Sequence, residues 1–343
     1  MKKKVAVLFG GQSTEHEVSR VSAASVLRNI DAAKYDVYPV GITKDGRWFE
    51  YTGSIDKIES GEWEKDEFYK TPEGQKVLFN KEVDVVFPVL HGLYGEDGTI
   101  QGLCKLLNLP CVGPGVMSSA VCMDKIYTKY LLEKFGVNQA EYVVVNNYEY
   151  NENNEQIIYK IETNLTYPIF IKPSNSGSSV GITKAHNKHE LKLGLEEALK
   201  YDRKVLVERG INAREVEVAV LGNDYPKAGV PGEIVPAKEF YDYEAKYQNE
   251  ASKLLIPAAL SDEKLELVKS IAIKIYKILD CAGMARVDFL IDKDTEEIYL
   301  NEVNTIPGFT KISMYPKMWQ AAGKTYVQLI DDLIEFAIER NNN

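Results

Sequence analysis

The chain has 343 residues, of which 45% are hydrophobic and 27% are charged, an ordinary balance for a globular protein that should divide into two or three domains. No apolar run approaches the roughly 20 residues that span a bilayer, and the N-terminal one stops at Gly10, too short for a signal peptide. We therefore expect a cytoplasmic protein. A net charge of −10 disfavours nucleic acid or an anionic membrane as partner, so an anionic substrate would need a few local cations.

Strands and helices alternate in the first third of the chain. The apolar run Lys4–Phe9 ends at two glycines, and helical spacing follows over Glu17–Ile30. Asp36–Ile42 and Val83–Leu90 predict further buried strands, and Thr99–Leu107 predicts a helix. This order is typical of an α/β layer with a parallel sheet.

The rest of the chain continues the alternation, which indicates an α/β (α+β) fold in three pieces, with breaks near residues 117 and 210. A long polar segment, Glu239–Lys253, has no clear period and is typical of a functional loop. The other predicted elements are the helix Asp124–Phe135, the strand Glu141–Val145, a polar turn at Asn151–Asn154, a hairpin of Ile169–Lys172 and Val180–Thr183, the helix His189–Lys200, the strands Lys204–Glu208 and Glu215–Leu221, the helix Glu263–Leu279, the strands Ala285–Ile291 and Glu297–Val303, and the helix Thr325–Arg340.

The cysteines show no metal-binding or disulfide pattern. None forms a Cys-x-x-Cys pair, and no histidine stands at zinc spacing from one. The sequence therefore predicts reduced, mostly buried thiols at Cys104, Cys111, Cys122 and Cys281.

Polar side chains recur at alternate positions on the last two predicted strands. Because residues i and i+2 of a strand share a face, Arg286 and Asp288 point one way, as do Glu302 and Asn304 on the next strand. If these strands pair, a guanidinium, two carboxylates and an amide oxygen converge, a set that suits Mg²⁺. The alternative is an ordinary salt bridge on an exposed sheet face.

Two lysines accompany segments that could bind phosphate. Lys172 ends a strand beside the loop Ser174–Gly181 (SNSGSSVG), whose backbone N–H groups could cradle phosphates. The loop matches neither a Walker A nor a dinucleotide fingerprint, so a flexible hairpin tip is the alternative. Lys125 follows Asp124, a candidate N-cap, and a lysine at a helix start is unfavourable unless an anion binds there. A plain surface lysine is the alternative for Lys125.

Two polar segments follow buried strands, Gly10–Glu17 (GGQSTEHE) and His91–Gly98 (HGLYGEDG). Ligands of open α/β sheets bind at the carboxyl ends of strands, which favours Glu15 and His91 as site residues. A helix-capping role for Glu17 and a core-edge role for His91 are the alternatives.

In combination, these segments resemble the D-alanine–D-alanine ligase family of the ATP-grasp superfamily. The resemblance runs from Gly10 to about Pro316, and its motifs stand in the family's order. They are GGxSxEHEVS, HGxxGEDGTIQG, CMDK, IKPSNSGSSVGI, YDYEAKY, RVDF and NEVNTIPGFT.

The resemblance implies a three-domain architecture that clasps ATP between two sheets. Its parts would be an N-terminal substrate domain (1–117), a central domain with the glycine-rich loop (118–209) and a C-terminal domain with an omega loop and a metal site (210–343). Two Mg²⁺ or Mn²⁺ ions would bind at Asp288, Glu302 and Asn304. The implied ATP-binding residues are Lys125, Lys172, Ser179, Glu208, Arg209, Ile211, Glu215, Phe240 and Lys246.

The resemblance also implies the reaction, which joins two D-alanine molecules through a D-alanyl-phosphate to supply peptidoglycan synthesis. A trio of Glu15, Ser178 and Tyr247 would be hydrogen-bonded, and Glu15 would anchor the first substrate's ammonium. Arg286 and the N–H of Gly308 would hold the tetrahedral oxyanion. The remaining implied site residues are Ser313 for the second substrate's carboxylate and Met314 beside its methyl group, in addition to His91, which its place after a buried strand already favours. Family members are commonly homodimers.

The sequence departs from many relatives near the second-substrate residues. Lys311 and Ile312 stand where a Ser-His pair is common, and Met314 replaces a leucine. Relatives that make D-Ala–D-Ser tend to carry an arginine at the Met314 position, and those that make D-Ala–D-lactate lose the pair that is Lys246 and Tyr247 here. Neither change is present, so we expect D-alanine in both sites, with a D-Ser or D-lactate ligase as the alternative.

Rival functions predict other residues. A different ATP-grasp enzyme would lack the Glu15–Ser178–Tyr247 trio. A nucleotide-binding regulatory module without turnover usually loses its metal ligands or its catalytic arginine, and Arg286 is present. A dinucleotide oxidoreductase would need a glycine spacing that Gly10 and Gly11 do not provide.

Overall fold

The structure is a computed structural model that describes residues 1–80, 82–177, 180–235 and 253–342. Its strands are β1 (Lys3–Gly10), β2 (Tyr35–Ile42), β3 (Trp48–Tyr51), β4 (Lys70–Pro72), β5 (Val85–Pro88), β6 (Tyr142–Asn146), β7 (Ile169–Pro173), β8 (Thr183–Ala185), β9 (Lys204–Arg209), β10 (Ala213–Gly222), β11 (Lys227–Ala228), β12 (Gly232–Val235), β13 (Lys253–Leu255), β14 (Gly283–Asp292) and β15 (Ile298–Asn304). Its helices are α1 (His16–Asn29), α2 (Ile55–Ser60), α3 (Lys76–Phe79), α4 (Thr99–Leu107), α5 (Val116–Met123), α6 (Lys125–Glu133), α7 (Asn147–Glu152), α8 (Asn154–Asn164), α9 (Lys188–Ala198), α10 (Asp262–Ile278), α11 (Met314–Ala321) and α12 (Tyr326–Asn342).

The first sheet has the order β4-β3-β2-β1-β5. Strand β1 pairs in parallel with β2 and β5, whereas β3 and β4 add antiparallel strands at one edge. The apolar residues Val5–Phe9 of β1 are fully buried, as expected for the central strand of a sheet covered on both faces. The predicted α/β layer is therefore confirmed, with a mixed rather than a purely parallel sheet.

Two antiparallel sheets follow, and the functional residues of the later segments lie on them. The second has the order β6-β9-β7-β8, and the third the order β13-β12-β10-β14-β15 with β11 paired to β10. Strands β14 and β15 pair along their length, which confirms the predicted strand pair. Helix α10 packs on β10 and β14 and covers one face of the third sheet.

The C-terminal helix α12 connects the first and third sheets. It packs against α1 and β5 on one side and against β10 and β14 on the other, within one shared hydrophobic core. Each sheet lies within one of the three predicted pieces, but this helix contacts the first piece as well as the last. The domain boundaries themselves stay a prediction.

Some predicted elements were wrong in extent. Asn151 lies inside α7 rather than in a turn. Only Asn153 separates α7 from α8, and its side chain caps α8 by accepting from the N–H of Gln156. The second hairpin strand begins at Thr183 rather than at Val180, which lies in a turn. Strand β10 runs over Ala213–Gly222, longer than the predicted Glu215–Leu221, and it is buried from Val216 onward because it is covered on both faces.

Other sequence expectations can be compared only in part. All four cysteines are buried free thiols, as predicted. Of the polar segment Glu239–Lys253, only Lys253 lies within the described residues, where it begins β13. Within the described ranges, none of the helices combines the length and the apolar character needed to cross a membrane.

Candidate active site

A polar cluster forms where β14 and β15 pair. Arg286 stands opposite Asn304, and Asp288 stands opposite Glu302. The guanidinium of Arg286 donates to both oxygens of Asp288, at 2.8 and 2.6 Å, and its Nε lies 3.1 Å from Oε2 of Glu217 on β10. Asn304 Nδ2 donates to Oδ2 of Asp288 at 2.9 Å. Burial opposes the charge of Arg286, but Asp288 and Glu217 raise its pKa well above the ordinary value.

The oxygen atoms of this cluster fit a hard divalent cation. Asp288, Glu302 and Asn304 offer carboxylate and amide oxygens on adjacent strands, the ligand type that Mg²⁺ and Mn²⁺ prefer. The described residues contain no group of three His, Cys, Asp or Glu side chains arranged as a metal site. Protein cations balance the carboxylates instead, since Arg286 pairs with Asp288, and Lys125 Nζ lies 3.9 Å from Glu302 Oε2.

Lys125 connects the start of α6 to the glycine-rich loop. Asp124 is the N-cap predicted from the sequence, because its side chain accepts from the N–H groups of Ile126 and Tyr127. The Lys125 ammonium donates to the carbonyl oxygen of Ser176 at 2.6 Å, and its backbone N–H donates to that of Ser174 at 3.0 Å. The loop and the lysine are therefore held together, close to the cluster of Arg286, Asp288, Glu302 and Asn304, which we call the metal-type cluster.

Lys172 lies in a buried group with two other charged residues. Its ammonium is 2.7 Å from Oε2 of Glu208, and the ammonium of Lys129 is 2.6 Å from Oε1. Burial opposes ionisation of Glu208, but the two lysines outweigh it and lower its pKa to about 2. Burial likewise opposes the charge of Lys172, whose pKa is nevertheless raised by Glu208 and, less strongly, by Glu302 and Glu215. Lys129 was missed in the sequence, where the available signal was its position four residues after Lys125, on the same face of one helix.

The other candidate nucleotide residues lie along β9, β10 and the link between them. Glu208 and Arg209 end β9, Ile211 lies in the link, and Glu215 is on β10 opposite Ile234. Arg209 forms an ion pair with Glu141 at 3.1 Å and lies over the ring of Tyr299. The predicted residues Ser178, Ser179, Phe240, Lys246 and Tyr247 lie outside the part of the chain that the structure describes.

Glu15 lies where two glycine turns meet. Its side chain is buried at the start of α1, with 6% of the residue exposed. A Cβ atom added at Gly92 would come 2.6 Å from Oε2 of Glu15, and one added at Gly177 would come 2.7 Å from the same oxygen. Glycine at both positions therefore lets the segment after β5 and the glycine-rich loop close around this carboxylate.

His91 holds the segment after β15 against the first sheet. Its Nδ1 lies 2.9 Å from the carbonyl oxygen of Ile306, which can only accept, so Nδ1 carries the proton and donates. Its Nε2 therefore accepts from the hydroxyl of Ser22 at 2.9 Å, and Ser22 in turn accepts from the N–H of Phe309 at 3.2 Å. Burial lowers the pKa of His91, which keeps the ring neutral.

Glu96 holds the same segment from the other side and was missed in the sequence. Its Oε1 accepts from the N–H of Ile306 at 2.8 Å, and its Oε2 accepts from that of Gly92 at 2.9 Å. Burial, with a contribution from the charge of Glu15, raises the pKa of Glu96 to about 7. The motif HGLYGEDG contained this acid, but nothing in its spacing pointed to a partner 210 residues away.

The candidate substrate residues follow this segment. A Cβ atom at Gly308 would come 2.8 Å from the Ser313 hydroxyl oxygen, which accepts from the N–H of Thr310 at 3.0 Å. Ser313 precedes α11 and is half-buried. Met314 packs in the hydrophobic core, with its terminal methyl group against Gly232, so its contact with a substrate stays a prediction.

Comparison with known proteins identifies relatives along the whole chain. The family model described as "D-ala D-ala ligase N-terminus" matches residues 4–114, and "D-ala D-ala ligase C-terminus" matches residues 131–335. The D-alanine–D-alanine ligases of Clostridium novyi (strain NT) and Clostridium acetobutylicum are 77% and 76% identical over 342 residues, with 100% of this chain and of each relative covered.

Solved structures show the same architecture. The VanG D-Ala:D-Ser ligase of Enterococcus faecalis has a TM-score of 0.89 at 42% identity, covering 98% of this chain and 100% of that one. The D-alanine–D-alanine ligase of Coxiella burnetii has a TM-score of 0.86 at 36% identity, covering 99% and 95%. The fold is thus that of the ATP-grasp ligases, and this chain belongs to the D-alanine–D-alanine ligase family.

Proposed function

We propose that this chain joins two D-alanine molecules with ATP, through a D-alanyl-phosphate, and releases ADP and phosphate for peptidoglycan synthesis. The observation that carries the proposal is the strand-paired cluster of Arg286, Asp288, Glu302 and Asn304, with Lys125 beside it. Such a cluster combines a cation for a developing oxyanion with oxygen ligands for a metal that binds phosphate. Identity of 77% to a D-alanine–D-alanine ligase over the whole chain supports the same activity.

ATP would lie between the second and third sheets. The ammonium group of Lys125 lies 3.9 Å from Glu302, and that of Lys172 feels the charge of the same carboxylate, so both ammonium groups would bind the phosphates. The residues proposed to frame adenine and ribose are Glu208, Arg209, Ile211 and Glu215. Ser179, Phe240 and Lys246 complete the proposed set from outside the described ranges.

Asp288, Glu302 and Asn304 would hold two Mg²⁺ or Mn²⁺ ions. A divalent ion bound there would neutralise charge on the phosphates of ATP. Arg286 and Lys125, which pair with these carboxylates in the structure, would then be freed in part for the substrates.

The reaction would proceed in two balanced steps. A carboxylate oxygen of the first D-alanine attacks the γ-phosphorus of ATP, and the bond from that phosphorus to ADP breaks. The neutral amine of the second D-alanine then attacks the acyl carbon, the carbon–oxygen bond breaks, and phosphate leaves and takes up the proton that the amine loses. Glu15 would bind the first ammonium, and Ser313 the second carboxylate. Arg286 and the N–H of Gly308 would stabilise the tetrahedral oxyanion, a contribution often worth about 3–4 kcal/mol per donor.

The segment after β15, which carries Gly308, is held in position by hydrogen bonds to the first sheet and its flanking residues. Both backbone groups of Ile306 are held, the N–H by Glu96 and the C=O by His91, and the N–H of Phe309 is held by Ser22. Gly308 lies between these fixed points, so its backbone is oriented before substrate binds. We therefore propose that His91 acts by positioning this segment, since both of its ring nitrogens are already bonded.

Product identification tests the proposal. The protein is incubated with ATP and Mg²⁺ while D-alanine, D-serine and D-lactate are offered together, and products are identified by mass spectrometry. We expect D-Ala–D-Ala as the main product, with phosphate release that depends on D-alanine. A main product of D-Ala–D-Ser would assign the activity of the VanG-like relative instead, and phosphate release that ignores D-alanine would refute both.

The expected cytoplasmic location and homodimer stay predictions. Cell fractionation checks the first, and light scattering of the purified chain checks the second. The proposed substrates are small molecules, in agreement with the net charge of −10, which disfavours polyanionic partners.

A further inference from the structure

Lys129, Glu208 and Lys172 form a buried group in which one carboxylate lies between two ammonium groups. Glu208 lies on β9 between the two lysines, and each of its carboxylate oxygens binds one of them, at 2.6 and 2.7 Å. The side chain of Lys129 is 4% exposed, that of Glu208 is 6% exposed and that of Lys172 is 15% exposed. Two ammonium groups and one carboxylate leave this group with one net positive charge.

Lys129 and Lys172 differ in what else they contact. Lys129 also donates to the carbonyl oxygen of Ala140 at 3.3 Å and lies over the ring of Tyr142, contacts that fix it beside β6 of the second sheet. Lys172 also donates to Oδ1 of Asn301 on β15, at 3.3 Å, so it reaches towards the strand that carries the metal-type cluster. Lys129 is therefore the inner cation and Lys172 the outer one.

We propose that Lys129 is a positioning residue of the ATP site. Its ammonium group neutralises the carboxylate of Glu208, so the positive charge of Lys172 stays available to bind the phosphates of ATP. This inference rests on the proposed function. Without Lys129, Glu208 and Lys172 would form a neutral pair, and the phosphates would have to compete with a buried carboxylate for the ammonium. Because charge pairs in a partly buried site interact strongly, the effect on phosphate binding should be large.

Calorimetric titration of the full chain with adenylyl imidodiphosphate and Mg²⁺ tests the inference. We expect Lys129→Met to weaken binding about tenfold or more, since a loss of about 1.4 kcal/mol is tenfold in affinity. Lys129→Arg, which keeps the charge, should bind more tightly than Lys129→Met. The matched control is Lys134→Met, an exposed lysine just beyond the same helix, which should leave binding unchanged.

Two further measurements separate charge balance from simple loss of packing. The double variant Lys129→Met/Glu208→Gln restores one net positive charge, so it should bind the nucleotide more tightly than Lys129→Met alone. Titration with adenosine, which has no phosphates, should show a smaller loss of affinity in Lys129→Met than titration with adenylyl imidodiphosphate shows. Urea unfolding of each variant confirms that the chain folds, and the double variant keeps the test usable if Lys129→Met does not.

The inference is overturned if Lys129→Met binds the nucleotide as wild type does. It is also overturned if the double variant binds no more tightly than Lys129→Met, or if adenosine binding falls in parallel. Wild-type protein that fails to bind adenylyl imidodiphosphate would instead refute the proposed function, and the inference with it.

Discussion

Replacement of Glu96 by glutamine would test the connection between the first sheet and the segment that carries Gly308. Both carboxylate oxygens accept from backbone N–H groups, those of Gly92 and Ile306, at 2.9 and 2.8 Å. Glutamine has one acceptor oxygen, and its NH₂ group would face the other N–H. One of the two bonds is therefore lost and leaves a buried donor unpaired, at a cost of about 1–3 kcal/mol.

The same substitution should change how stability depends on pH. Burial raises the pKa of Glu96 from 4.5 to about 7, so the folded protein binds this proton more tightly than the unfolded chain does. The resulting stabilisation is fully present below pH 4.5 and is lost as the pH rises to about 7. Above that pH, Glu96 no longer makes the free energy of unfolding depend on pH. Each pKa unit is worth about 1.4 kcal/mol, so the effect is at most about 3.5 kcal/mol. Glutamine does not titrate and lacks this effect.

Urea unfolding of wild type and Glu96→Gln at pH 5 and pH 8 measures both effects. We expect the variant to be less stable at pH 5, and the difference in free energy of unfolding to shrink or reverse at pH 8. The control is Glu152→Gln, an exposed glutamate at the end of α7, whose difference from wild type should be similar at both pH values. A Glu96→Gln difference that is equal at pH 5 and pH 8 would refute the reasoning.

Three other substitutions test the remaining contacts. Arg286→Lys removes the planar fork that binds Asp288 and should lower kcat for D-alanine-dependent phosphate release about 100-fold, with a smaller change in nucleotide affinity; an unchanged kcat would contradict the oxyanion role. Gly177→Ala places a Cβ atom 2.7 Å from Oε2 of Glu15 and should raise KM for D-alanine severalfold. The control is Gly102→Ala, whose Cβ atom meets no atom within 4 Å and should leave KM unchanged; equal KM values for wild type and Gly177→Ala would argue against the close approach. His91→Asn should raise KM for D-alanine but keep the shape of the kcat–pH profile, and loss of one limb of that profile would assign proton transfer to the ring.

The parts of the site that could be predicted from sequence are those set by local periodicity. The i, i+2 rule placed Arg286 and Asp288 on one face, and the pairing of β14 with β15 brought Glu302 opposite Asp288. The Asp124 cap was predicted for a similar reason, because an N-cap acts within three residues of itself. Such predictions need only the geometry of one element or of two strands joined by a short turn.

The elements that were misplaced show the limit of periodicity. Burial along β10 does not alternate from Val216 onward, because α10 and the C-terminal helices cover opposite sides of that sheet. The short elements β3, β4 and α11 were missed, since four strand residues or two helical turns carry too few apolar positions for a period to emerge.

Contacts between elements far apart in the chain could not be predicted, and they include those that orient the site. Glu96 and Ile306 are separated by 210 residues, and Lys125 and Ser176 by 51. The contact between Glu96 and Ile306 depends on how the first and third sheets dock, which is decided by the shared core around α12 rather than by the two residues themselves. Every residue except proline carries a backbone N–H group, so the sequence does not show that the N–H of Ile306 is the one that binds Glu96.

Lys129 and His91, which are buried, and Glu96, which is half-buried, indicate how the family's reaction can depend on residues that touch no substrate. A buried charged or polar group is stable only when its partners are in place, so each of these side chains fixes the geometry of what it binds. Lys129 fixes Glu208, whereas His91 and Glu96 fix opposite backbone groups of Ile306. Substitutions at these positions should therefore alter substrate affinity and folding stability together, whereas a substitution at Arg286 should act chiefly on kcat.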